Sequence, residues 1–150
     1  MTVLVYVMFY IMGQKLIEMI KRHEGSEKFC YKCSTGYETI GVGRNISKNG
    51  LGLSDNEIEY LLQNDIDRIV TELTEEYDWF NELDSVRRDA LIDISFNLGQ
   101  TKLRSFIKAL DAMSNKEWEE AADQFMDSRW SRQVGNRAKE LTEMIRTGHY

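Results

Sequence analysis

The chain has 150 residues, 42% of them hydrophobic, which suits one compact domain with a real core and excludes a disordered tail. Its 19 basic against 25 acidic side chains leave a net charge of −6, which argues against a nucleic-acid binder that works by neutralising phosphates. Two cysteines cannot form a disulfide framework, and two histidines without an HExxH pattern argue against a three-ligand zinc site.

Residues 2 to 12 (TVLVYVMFYIM) are uncharged and strongly apolar. A helix of that length rises only about 17 Å, short of the roughly 30 Å core of a bilayer, and neither a basic flank nor a small-residue cleavage site marks a signal peptide. Three readings stand open: an N-terminal extension, buried or dangling; a start at Met12; and a weak membrane-anchoring segment. From Gln14, Leu16, Ile17 and Ile20 recur at helical spacing beside Lys15, Glu18, Lys21 and Arg22, predicting an amphipathic helix to about His23 that Gly25 stops.

Aromatic, β-branched and glycine residues then alternate in FCYKC and YETIGVG around Ser34-Thr35-Gly36, the pattern of a β-hairpin over 29 to 46. On its strand Cys30 faces away from Cys33 and is expected in the core. Ser54 and Glu57 form a capping box, and Ile58, Leu61, Leu62, Ile66, Ile69, Val70 and Leu73 step by 3 and 4, predicting a long helix with one buried stripe. Short helices follow: one capped by Asp84 and stopped by Gly99, one marked by Leu103, Phe106, Ile107, Leu110 and Met113, one over Trp118–Met126, and a last one before Gly148. Trp118, Trp130 and Phe106 are expected in the core of this part. With no proline, no low-complexity stretch and no repeat, the prediction is an α+β fold. The apolar extension (1–12) precedes a single domain (13–150), in which a hairpin lobe (about 24–53) is joined by a long helix (about 54–73) to a helical lobe (about 80–150).

For chemistry, no phosphate-binding glycine loop appears, and Cys33 lies ten residues from His23, a poor setting for a Cys-His hydrolase. Glu24-Gly25 places a carboxyl at a helix end facing a hairpin. Glycosidic cleavage needs such an acid to protonate the leaving oxygen, and a second group, several ångströms away, to activate water or attack the anomeric carbon.

The segment EGSEKFCYKCSTGYETIGVGRN (24–45), followed in order by LDSVRRDALIDISFNLG (83–99), WEEAADQFMDSRW (118–130) and NRAKELTEMIRTG (136–148), resembles the T4-type phage lysozymes, glycoside hydrolase family 24, over nearly everything from Met12 onward. The resemblance implies a lysozyme-like fold and an endolysin that cuts the β-1,4 bond between N-acetylmuramic acid and N-acetylglucosamine in bacterial peptidoglycan. It implies a monomer with no cofactor, no metal, no nucleic-acid partner and no stable membrane association. The family triad falls on Glu24, Cys33 and Thr39, with Cys33 standing where most of the family has aspartate. Tyr31, Arg44, Asn45, Phe96, Asn97, Gln124 and Arg137 fall on cleft positions; Arg44 is expected to pair with Asp65, and Arg137 with the catalytic glutamate. Two other readings stay open, a lytic transglycosylase, which needs only one acid/base, and a decayed wall-binding module. An endolysin of this kind is expected in the host cytoplasm until lysis and then at the cell wall.

Overall fold

The computed structural model describes the backbone from Val3 and the side chains from Gln14, through to Tyr150. Two compact units result, one ending at Ile58 and one running Glu59–Tyr150. The side chains of the apolar segment 2–12 lie outside the described residues.

In the first unit, helix α1 (Val3–Glu24) runs without a break through Gly13, so the helix expected from Gln14 begins earlier. One glycine costs a helix only about 1 kcal/mol, too little to break it. The helix ends where Gly25 adopts φ +82°, its N–H closing the last turn on Lys21 O at 2.9 Å. Leu16, Ile17, Met19 and Ile20 are exposed, so the apolar face predicted here is not buried.

Three antiparallel strands follow in the order β1 (Glu27–Lys32), β2 (Glu38–Gly41), β3 (Arg44–Asn45). The hairpin predicted over 29 to 46 thus gains a short third strand. Register sets Tyr31 opposite Thr39 and Thr39 opposite Asn45, so these three share one face of the sheet. The predicted turn is present, with Cys33 N–H donating to Tyr37 O at 3.0 Å and Gly36 N–H to Cys33 O at 2.8 Å. Cys30 is exposed, not in the core: of this sheet's residues only Thr39 is fully covered.

Helix α2 (Asp55–Glu76) crosses from one unit to the next and begins with the predicted capping box. Ser54 N–H donates to Glu57 Oε2 at 2.8 Å, and Glu57 N–H reaches Ser54 Oγ at 3.4 Å. Of the predicted stripe only the second half is buried: Ile69 and Leu73 are in the core, while Ile58, Leu61 and Leu62 are exposed.

The second unit adds a 3-10 turn (Phe80–Glu82) and helices α3 (Ser85–Leu98), α4 (Gln100–Leu103), α5 (Ile107–Ser114), α6 (Trp118–Met126), α7 (Arg129–Val134) and α8 (Asn136–Thr147). Asp84 caps α3 through Arg87 N–H, as expected. Leu73, Phe80, Leu91, Ile94, Leu103, Phe125 and Ile145 are shut off from solvent, and Ala90, Ala121, Ala122 and Ala138 let the helices approach closely. Phe106, Phe125 and Trp130 form an aromatic cluster with centroids 5.4 to 6.4 Å apart. Ile107, predicted inside, is 74% exposed, because α5 begins there and turns its first residue outward. The fold is α+β, mostly helical with one small sheet near the N-terminus.

Candidate active site

Glu24 closes α1, and its carboxyl rests against the turn between β2 and β3. A Cβ added at Gly43 would stand 3.3 Å from Glu24 Oε2, and Gly43 also holds φ +70°. Both facts favour glycine there, since a side chain would be strained and would crowd the acid. Glu24 itself is exposed to solvent.

Cys33 follows the end of β1. Its sulfur lies 3.0 Å from Thr35 Oγ1. That hydroxyl is the main reason the thiol is lowered from 9.0 to about 7, with the Thr35 backbone N–H next; slight desolvation opposes, and the Thr39 hydroxyl and the Tyr37 N–H add to the effect. Thr39 is 3% exposed, and its hydroxyl donates to Tyr37 O at 3.1 Å. A hydroxyl has one proton, so Thr39 serves either Tyr37 O or the sulfur, and ionisation of the thiol favours the sulfur. Thr35, Tyr37 and Gly43 were missed by sequence reasoning. A hydroxyl residue two places after a cysteine in a tight turn is the signal that points to the first.

Tyr31 and Asn45 flank Thr39 across the sheet, so the structure brings them to the same row. Asn45 is half committed: its Oδ1 accepts from Ser47 N–H at 2.9 Å. Arg44 does not pair with Asp65, which holds Arg68 at 3.3 Å instead. Its fork grips Glu57, Nη2 to Oε1 at 2.7 Å. Arg44 lies nearer the start of α2 than the sequence suggested, and the capping glutamate has a free oxygen to offer.

The remaining candidates lie in the second unit and do not share one cavity. Phe96 borders a small cavity of about 170 Å³ beside Ser95 and Gln100. Asn97 Oδ1 accepts from Trp130 Nε1 at 2.8 Å. Gln124 donates to Glu120 at 2.8 Å and lines a groove of about 800 Å³ with Phe106, Arg129 and Trp130. Arg137 Nε donates to Asp93 Oδ1 at 2.7 Å, a partner other than the glutamate the resemblance implies. Among the described residues, no cluster of His, Cys, Asp or Glu could hold a metal ion.

The family model described as phage lysozyme matches residues 21–146, which include every one of these side chains. The chain belongs to the phage lysozyme family. It is 27% identical to "Probable T4-type lysozyme 1" of Dictyostelium discoideum, over 91% of this chain and 96% of that one, and 27% identical to "Probable T4-type lysozyme 2" of the same organism over the same shares. It is also 26% identical to "Pre-baseplate central spike protein Gp5" of Enterobacteria phage T4, where the match covers 91% of this chain but 28% of the spike protein. As a phage lysozyme family member the chain has the lysozyme-like fold and is, in general terms, a lysozyme-like cell-wall hydrolase.

Proposed function

We propose that this phage lysozyme family member hydrolyses the β-1,4 bond between N-acetylmuramic acid and N-acetylglucosamine in bacterial peptidoglycan. Glu24 gives its proton to the glycosidic oxygen as the carbon–oxygen bond breaks. Water adds to the anomeric carbon, and its proton passes to the Cys33 thiolate, with the Thr39 hydroxyl orienting the exchange. In a second branch the thiolate attacks the anomeric carbon itself as the C–O bond breaks, and water then cleaves the carbon–sulfur bond, giving its proton to the Glu24 carboxylate and freeing the sugar and the Cys33 thiolate. Both branches need an ionised sulfur near neutral pH. The observation that carries the reading is the placement of the Glu24 carboxyl against the β2–β3 turn, in the same unit as a Cys33 sulfur that lies 3.0 Å from the Thr35 hydroxyl, the main donor lowering the thiol to about 7.

Tyr31, Asn45, Phe96, Asn97, Gln124 and Arg137 are proposed to contact the glycan or its peptides. The protein acts as a monomer on the wall after release from the host cytoplasm. Among the described residues no helix is long and apolar enough to cross a membrane.

The test is product analysis on purified peptidoglycan. Reducing ends should be released by the parent, and Glu24→Gln and Cys33→Ala should each lose about 10²- to 10⁴-fold in rate, the usual range for an acid or base group. Cys33→Asp should keep much of the activity. New 1,6-anhydro ends in place of reducing ends would make the enzyme a transglycosylase, and full activity of Cys33→Ala would remove the sulfur from the mechanism. A mass increase of one glycan fragment on Cys33 under rapid quench selects the covalent branch.

A further inference from the structure

The proposed chemistry leaves the Arg44 ion pair without a role. Arg44 Nη1 and Nη2 reach Glu57 Oε2 and Oε1 at 3.2 and 2.7 Å, and Nη1 also donates to the Gly52 carbonyl at 3.1 Å. Glu57 Oε2 accepts as well from the N–H of Ser54 at 2.8 Å and from its hydroxyl at 3.0 Å. One carboxylate therefore ties β3 to the first turn of α2, and these donors together hold it below the usual carboxylate range, the Ser54 N–H contributing most.

What Arg44 ties down is the segment that shapes the site. On one side of it is Gly43, against which the Glu24 carboxyl rests; on the other is Asn45, paired with Thr39. The loop after β3 anchors the same residues from its backbone. Asn45 O accepts from Gly52 N–H at 3.1 Å, and a Cβ at Gly50 would fall 2.3 Å from Asn45 Oδ1, so the loop closes directly onto Asn45.

We propose that Arg44 is a positioning residue: through Glu57 it holds Gly43 and Asn45 in place, and so sets where the Glu24 carboxyl and the Thr39 hydroxyl lie, without touching substrate. The proposal deepens the lysozyme reading and rests on it. Magnitudes separate it from plain stabilisation. The pair is about one-third exposed (33% and 39%), where ion pairs add little stability. A bidentate arginine nevertheless fixes orientation as well as distance, and a displacement of about 1 Å at a catalytic group can cost about 10²-fold in rate.

The experiment measures kcat and KM on soluble peptidoglycan fragments for the parent, Arg44→Ala, Arg44→Lys, Glu57→Gln and the Arg44→Ala/Glu57→Gln double variant, with thermal unfolding of each. Expected is a fall in kcat of about 10- to 100-fold for Arg44→Ala at unchanged KM. Arg44→Lys, which keeps the charge but not the fork, should lie between, and the double variant should lose no more than the worse single one, because both act along one path. A raised KM at unchanged kcat would make Arg44 a substrate contact and overturn the proposal, as would parental kcat in Arg44→Ala. If Arg44→Ala unfolds, Arg44→Lys carries the measurement alone. Amide exchange at Ile46, whose N–H bonds Glu38 O at 2.8 Å, gives a readout independent of activity. Faster exchange in the Arg44 variants is expected whether or not the parent cleaves glycan, and unchanged exchange overturns the positioning role by itself. Absence of cleavage by the parent overturns the lysozyme reading instead.

Discussion

The sulfur of half-buried Cys33 is held by a turn that offers it hydroxyl and N–H donors, and these outweigh its desolvation in setting its proton affinity. Its folded value of about 7 lies below the ordinary 9.0, so the ionised form favours the folded hairpin. By linkage that stabilisation is complete above pH 9 and fades as pH falls through 7. In a Cys30→Ser background, which leaves a single thiol, the alkylation rate by iodoacetamide should follow the thiolate with a midpoint near pH 7. Thr35→Val should move the midpoint upward more than any other single change in the turn. A midpoint that ignores Thr35 would remove that hydroxyl as the cause, and a parental midpoint near 9.0 would leave the sulfur an ordinary thiol and take away the neutral-pH base. The helix stop after Glu24 and the turn around Ser34-Thr35-Gly36 were legible in the sequence because both have local causes, whereas Thr39 stood out only through the family resemblance. The donors to the sulfur were not, since a threonine in a turn looks the same whether its hydroxyl faces water or a thiol. The partner of Arg44 was misjudged for a related reason: the capping box accounts for Glu57 locally, and sequence spacing does not reveal that its second oxygen takes an arginine.

Helix α2 shows what periodicity can and cannot tell. A stripe at spacing 3 and 4 marks one face of a helix, but burial depends on what lies over that face, which no spacing within the helix records. Leu73 has no exposed surface, whereas Leu61, three turns earlier on the same stripe, is 49% exposed. Leu73→Ala should therefore cost about 2 to 5 kcal/mol, the range for emptying a packed leucine site, and Leu61→Ala no more than about 0.5 kcal/mol, as for a surface change. Urea unfolding of the two variants checks this, and equal losses would mean that the first half of α2 is covered in solution. The later helices were legible through their ends, with Asp84, Gly99 and Gly148 acting where expected. Helix α7, six residues long, and the two-residue β3 were missed because neither is long enough to show a period.

Charge is unevenly shared along the chain, and this bears on how an acidic protein meets a wall polymer rich in carboxylates. Up to Ile58 there are 7 basic and 6 acidic residues; from Glu59 onward there are 12 and 19, so the whole excess of negative charge belongs to the second unit. The first unit carries Lys21 and Arg22 in the last turn of α1, immediately before Glu24, and Lys28 on β1. Screening acts on these two sets differently. The Debye length is about 30 Å at 0.01 M salt, about 8 Å at 0.15 M and about 3 Å at 1 M. At the lowest salt the substrate feels the net charge of −6 and is repelled. Near 0.15 M charges farther than about 8 Å from the substrate are screened, while Lys21, Arg22 and Lys28, close to Glu24 in the chain, still attract. Toward 1 M their attraction goes too. Initial rates at limiting substrate should thus rise with salt, pass through a maximum and fall. In Lys21→Glu/Lys28→Glu the falling limb should vanish, and the rate near 0.15 M should drop several-fold, because the close-range attraction has become repulsion. A rate that falls steadily from the lowest salt in the parent would show that the basic residues next to Glu24 dominate at every range, and that the acidic second unit has no part in the encounter.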